Sequence, residues 1–143
     1  MGLIASLFLA TALAVAPSPH DAASLENVVE RGAFTTPLQE FPSFVRQNRR
    51  SFRELDWSTD YCSAPLVGNT GRSFNFRLPC QRHDFAYRNL KLLGRFDETT
   101  KRRADETFLA DMRETCEPRG VTQRFTCFAW AETFHTAVRL FAG

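Results

Sequence analysis

The sequence predicts a small all-α domain stabilised by disulfides. Apolar residues recur at helical spacing in four segments, with almost no alternating strand pattern. Four cysteines follow an apolar N-terminus, and none forms a Cys-x-x-Cys pair. The length of 143 residues and 43% hydrophobic content fit one domain with a real core. A formal charge of +2 argues against a nucleic-acid wrapper or an acidic solvating tail. A mean hydropathy of −0.29 excludes a multi-span membrane protein.

Met1–Ala16 carries no charge, and its apolar run is too short to span a bilayer, which takes about 20 residues. It ends in Ala14-Val15-Ala16, a small-x-small cleavage pattern, and so reads as a secretory signal peptide. No transmembrane segment is expected. Residues 17–38 are polar and weakly patterned, with a break at Arg31-Gly32, and read as a flexible leader or propeptide. The domain proper is expected over residues 39–143.

The first helix is expected from Phe41 to Leu55, with Phe41, Phe44, Val45, Phe52 and Leu55 on one face and arginines on the other. A loop rich in Ser, Pro, Asn and Gly follows, bracketed by Cys62 and Cys80. The second helix is expected to begin at Pro79 or Cys80 and to stop at Gly94. Asp97 is the N-cap of the third, which runs to about Cys116, where Glu117-Pro118-Arg119-Gly120 breaks it. The last is expected from Cys127 to Phe141.

A secreted chain makes the cysteines Cys62, Cys80, Cys116 and Cys127 readable. A zinc site would show a short paired spacing, so two disulfides are favoured. Three connectivities are open. Local pairing, Cys62–Cys80 and Cys116–Cys127, is the simplest, and closing a loop near 15 residues contributes about 3 kcal/mol in a chain-entropy picture. No Asn-x-Ser/Thr occurs, so N-glycosylation is not expected.

The third helix holds an acid in the wrong place. At about 100° per residue from Ala104, Asp105 falls between Met112 at about 80° and Cys116 at about 120°. Glu106, Asp111 and Glu114 lie at or beyond the edges of that apolar stripe. A buried unpaired carboxylate costs several kcal/mol, so Asp105 needs a donor. Lys101, one turn earlier, is the plain candidate and can snorkel to water. The second helix offers another: His83 shares a face with Tyr87 and Leu90, and an inward His beside a buried Asp is a base with its orienting partner. A lone inward His is more often a satisfied core residue. No Gly-x-Ser-x-Gly elbow is present, so water is the natural nucleophile for such a base. The oxyanion would then need an electrophile, and a hard cation held by carboxylates supplies one. Asp84, diverging from His83, and Asp60, near Cys62, are the acids best placed to hold it.

The run Asp56-Trp57-Ser58-Thr59-Asp60-Tyr61-Cys62, then Phe74-Asn75-Phe76 and Cys80-Gln81-Arg82-His83-Asp84-Phe85-Ala86-Tyr87-Arg88-Asn89, resembles the secreted phospholipases A2 of bacteria and fungi. The similarity continues through Gly94-Arg95-Phe96-Asp97 and Ala104-Asp105-Glu106-Thr107-Phe108, and covers about Phe41 to Gly143. It implies a small helical fold with two central antiparallel helices and a calcium-binding loop. The implied activity is Ca2+-dependent hydrolysis of the sn-2 ester of glycerophospholipid membranes or micelles, by a secreted monomer. His83 is the implied general base and Asp105 its partner; Asp60, the Tyr61 carbonyl and Asp84 are the implied calcium ligands. The implied disulfides are Cys62–Cys80 and Cys116–Cys127. One departure is Leu66-Val67, where the bacterial members tend to have an acid.

Two other readings are weaker. A secreted ribonuclease would need two catalytic histidines and a basic cleft, yet His135 reads as a surface residue and His20 lies in the leader. A catalytically silent membrane-binding or effector protein on the same fold would not need every implied catalytic position filled. Of the 14 Phe, Phe74 and Phe76 alternate beside the implied calcium site and are candidates to face a lipid interface, with core packing the expected role of at least one.

Overall fold

A computed structural model describes residues 20–62 and 74–142. The signal-peptide reading of Met1–Ala16 and the Leu66-Val67 departure lie outside the described residues. Among the described residues there are five α-helices and no strand: α1 Ala22–Glu30, α2 Phe41–Asn48, α3 Arg77–Leu92, α4 Glu98–Cys116 and α5 Val121–Phe141. None is long and apolar enough to cross a membrane.

The α3–α4 hairpin is written in local chemistry. Gly94, at φ +66°, ends α3 by letting Arg95 N–H bond back to the Leu90 carbonyl. Asp97 then caps α4 by accepting from Thr99 and Thr100 N–H, while the Thr100 hydroxyl accepts from Asp97 N–H. The helices run antiparallel: Tyr87 meets Asp105, while the earlier Arg82 meets the later Asp111. α5 returns along the other side of α4, held at one end by Cys116–Cys127 and at the other by Arg139 against Asp105 and Glu98. The second bridge, Cys62–Cys80, ties the chain ahead of α3 to the helix itself.

Two apolar clusters flank α3. Phe74, Phe76, Phe108, Met112 and Phe134 surround the two disulfides. Phe74 and Phe76 are both buried, Phe76 packing edge-on against Phe134, so neither faces a lipid interface. The other cluster joins Phe41, Leu55, Phe85 and Leu90 to Val28, Val29 and Ala33. The reading of residues 17–38 as a flexible leader is therefore corrected from residue 22 onward. Asp21 caps α1, a π-helical turn follows over Arg31–Thr35, and Val28 and Val29 are buried. Gly32 lies so close to two rings that an added Cβ would fall 2.5 Å from Phe44 and 2.7 Å from Phe85.

Three helix boundaries differ from expectation. α2 ends at Asn48, not Leu55, because the Asn48 carbonyl takes the N–H groups of both Ser51 and Phe52 and turns the chain. Leu55 is still buried, reached by a turn instead of a helix. α3 starts at Arg77, and α5 starts at Val121 with an exposed first turn that the buried stripe could not report.

Candidate active site

His83 is delivered by the face of α3 that looks at α4. Its Nε2 lies 2.9 Å from Asp105 Oδ1, and its ring stacks on Phe108 at 4.6 Å and lies tilted against Tyr87 at 4.2 Å. Burial keeps the imidazole below its usual pKa, although Asp105 pulls it the other way.

Asp105 is fully buried, at 0% exposure. Tyr87 donates its hydroxyl to Oδ1 at 2.5 Å. On Oδ2, Lys101 stands at 3.4 Å and Arg139 at 3.3 Å. Both partners weighed from sequence are therefore present together. Burial pushes this carboxyl up, but the bonds from His83 and Tyr87 and the nearby positive charge outweigh it and hold Asp105 at about 2. Arg139 arrives from α5, 34 residues away, and no local pattern announces it. Tyr87, one helical turn after His83, is the donor that sequence spacing does announce.

Of the three implied cation-ligand residues, Asp60 and Tyr61 donate their main-chain N–H groups to the carboxylate of the third, Asp84. Asp84 Oδ2 accepts from the Thr59 hydroxyl at 2.5 Å and from Asp60 and Tyr61 N–H at 3.1 Å each. Asp84 thus diverges from His83 as expected, but it organises the turn of residues 59–61 instead of standing free. Tyr61 adopts φ +58°, a left-handed conformation that costs a bulky residue about 1–3 kcal/mol. The Arg77 guanidinium lies 3.8 Å from the centre of its ring. Burial pushes Asp84 up to about 6, with Asp60 adding like charge. Arg88 contacts Asp60 Oδ1 at 3.1 Å. Among the described residues no three His, Cys, Asp or Glu side chains converge on a metal position. The donor set here is two carboxylates and a main-chain carbonyl, all oxygen, and that chemistry suits a hard cation.

Beside these groups opens a cavity of about 410 Å³. Its α3 wall presents His83, Asp84, Arg88 and Lys91; the α5 wall presents Phe134, Val138 and Phe141. Phe141 is 63% exposed, so the α5 side of the cavity meets solvent with an apolar ring. One wall offers a base and charges and the other offers only hydrocarbon, an arrangement suited to an amphiphile with a reactive polar junction.

Two residues sit differently from their sequence reading. Asp111 is 4% exposed and not at a polar edge, because α4 is covered on two sides, by α3 and by α5. His135 is half-buried with its Nε2 inaccessible, where a surface residue is expected.

A family model described as prokaryotic phospholipase A2 matches residues 29–142. A secretory phospholipase A2 of Beauveria bassiana is 33% identical over 118 residues, 82% of this chain and 59% of that protein. A secretory phospholipase A2 of Arthroderma benhamiae is 30% identical over 115 residues, 78% of this chain and 75% of that one. The chain thus spans 59% of the length of the first of these relatives and three quarters of the second. It belongs to the prokaryotic phospholipase A2 family.

Proposed function

We propose that this member of the prokaryotic phospholipase A2 family is a secreted, calcium-dependent phospholipase A2 that works as a monomer on glycerophospholipid membranes or micelles. It would hydrolyse the sn-2 ester to lysophospholipid and free fatty acid, with Met1–Ala16 as its signal peptide and residues 39–143 carrying the catalytic groups. Both curated relatives bear the name secretory phospholipase A2, which supports secretion and the reaction class. The observation that carries the reading is the 2.9 Å contact of His83 Nε2 with Asp105 at the wall of an amphipathic cavity.

With Nε2 engaged by Asp105, Nδ1 is the ring nitrogen left to accept a proton. Burial lowers the His83 pKa, so the ring is neutral near pH 7 and its Nδ1 is free to accept a proton. His83 takes a proton from water as the water oxygen attacks the ester carbonyl carbon. The imidazolium then rests against an Asp105 already ionised and held by Tyr87, Lys101 and Arg139, so no side chain has to reorganise to meet the new charge. His83 returns the proton to the departing glycerol oxygen as the carbon–oxygen bond breaks. Asp60, the Tyr61 carbonyl and Asp84 would hold calcium, which when bound supplies Lewis-acid polarisation of the ester and a counter-charge for the phosphate. The apolar α5 wall takes the acyl chain and excludes water from it.

The test is release of fatty acid and lysophospholipid from phosphatidylcholine vesicles by the purified protein with calcium. Chelation is expected to stop it. Full activity in excess chelator would sink the calcium role, and no activity on any glycerophospholipid would favour the silent membrane-binding reading.

A further inference from the structure

Two cations line the cavity, Arg88 and Lys91, and they are in different situations. Arg88 is committed to the turn that carries Asp60: Nη2 to Asp60 at 3.1 Å, Nη1 to the Ser58 hydroxyl at 2.8 Å, and Asp56 at 3.9 Å. Lys91 has no carboxylate partner among the described residues. Its ammonium instead stands over two rings, 4.7 Å from the centre of Phe96 and 5.7 Å from that of Tyr87.

That perch places it in relation to the base. The Tyr87 ring under Lys91 lies 4.2 Å from the His83 ring, so a single aromatic side chain separates the ammonium from the proposed reaction centre. Lys91 follows His83 by just over two helical turns on α3, and side chains on a helix lean toward its N-terminus, which brings Nζ back over the cavity. Two aromatic faces restrict the lysine's rotamers before any ligand arrives and attract the cation without neutralising it. A positive charge held over two rings at the edge of a cavity whose α5 wall is apolar is a receptor for an anion carried by an apolar molecule. In a glycerophospholipid the phosphodiester lies only a few covalent bonds from the sn-2 ester.

We propose that Lys91 is an anion-recognition residue that binds the phosphodiester of a lipid seated in the cavity and so selects phosphate-bearing amphiphiles over uncharged ones. This rests on reading the site as a phospholipid hydrolase. The alternative source of the same chemistry, a diffuse attraction to an anionic membrane surface, is separated from it by working with monomeric ligands.

The experiment is calorimetric titration of the whole protein with decylphosphocholine and with decyl maltoside, each below its aggregation concentration, so that neither turnover nor a membrane is needed. Lys91→Ala is expected to weaken decylphosphocholine binding about tenfold and to leave decyl maltoside binding unchanged. Lys91→Arg is expected to recover most of the loss. Arg50→Ala removes an exposed charge, with no side-chain partner among the described residues, and is expected to change neither. Equal binding of decylphosphocholine by Lys91→Ala and the wild type overturns the assignment, as does an equal loss for both ligands or a matching loss in Arg50→Ala. A wild-type protein that hydrolyses phospholipid while Lys91→Ala binds normally sinks only the role of Lys91. A wild type that binds neither ligand removes the lipid reading of the cavity, and Lys91's role with it.

Discussion

Asp105 and Asp111 stand less than two turns apart on α4, both buried and both facing α3, and the fold treats them in opposite ways. Asp105 gathers donors from three helices and is held at about 2. Among the described residues Asp111 has one cationic partner, Arg82, which donates Nη2 to Oδ1 at 3.0 Å and sets Nε 2.9 Å from Oδ2 without hydrogen-bond alignment. Burial, opposed by that arginine but helped by Glu114, pushes Asp111 up to about 7. Equal burial with unequal donors gives one carboxylate that stays charged and one that binds a proton readily. The first is what a histidine base needs beside it. The second fastens parts of the fold together, since Arg82 also donates to the Thr36 carbonyl.

The sharpest break of this comparison is His83→Ala, expected to lower kcat by about 10²- to 10⁴-fold with the helical circular dichroism unchanged. Asp111→Asn is expected to stay within tenfold of the wild type in the same assay; a larger loss would erase the distinction between the two acids. Next in size, Asp111→Ala, measured at pH 8 where the carboxyl is ionised, leaves a buried arginine short of its counter-charge and should cost about 3–5 kcal/mol in urea unfolding. Replacing both members, Arg82→Met with Asp111→Leu, should cost less than that single change. Tyr87→Phe takes one donor from Asp105 and should cost about 1.5–3 kcal/mol, with kcat falling more than KM rises.

The smallest effect is in pH. Asp111's folded value lies above its unfolded 3.8, so its contribution to stability is full below pH 3.8 and is lost as pH rises through about 7. Asp105's folded value lies below 3.8, so its contribution is full above that pH and is lost as pH falls toward 2. Unfolding free energies should therefore show a decline above pH 4, shared with Asp84 up to about pH 6, whose part between about pH 6 and 8 is removed by Asp111→Asn, and a decline below pH 4 that this change leaves in place. An unchanged upper slope in Asp111→Asn would mean that the arginine wins over burial at that site.

What was legible in the sequence follows from how far each cause reaches along the chain. The Asp97 cap, the Gly94 stop and the burial of Asp105 are local or have a single period, and they read directly. Asp111 was misplaced because a helical wheel treats one buried face, while α4 has a neighbour on each side. Arg139 had no signal, since its partner lies 34 residues away. Residues 22–38 do carry a helical pattern, with Leu25, Val28 and Val29 at i, i+3 and i+4, but α1 is only nine residues long and the π-turn over Arg31–Thr35 then changes the spacing, so the pattern is too short to stand out among its polar neighbours. Their order comes from Phe41, Phe44 and Phe85, rings supplied by other segments.

Gly32 carries that packing to a consequence for maturation. A protease must draw several residues of extended chain into its cleft, and here the residue just after the Arg31–Gly32 bond is wedged against two aromatic rings. Trimming of the folded protein is therefore confined to the stretch ahead of the Asp21 cap, and N-terminal sequencing after brief trypsin treatment should find Gly32 still attached to Arg31. A form beginning at Gly32 would have to be cut before the chain has folded.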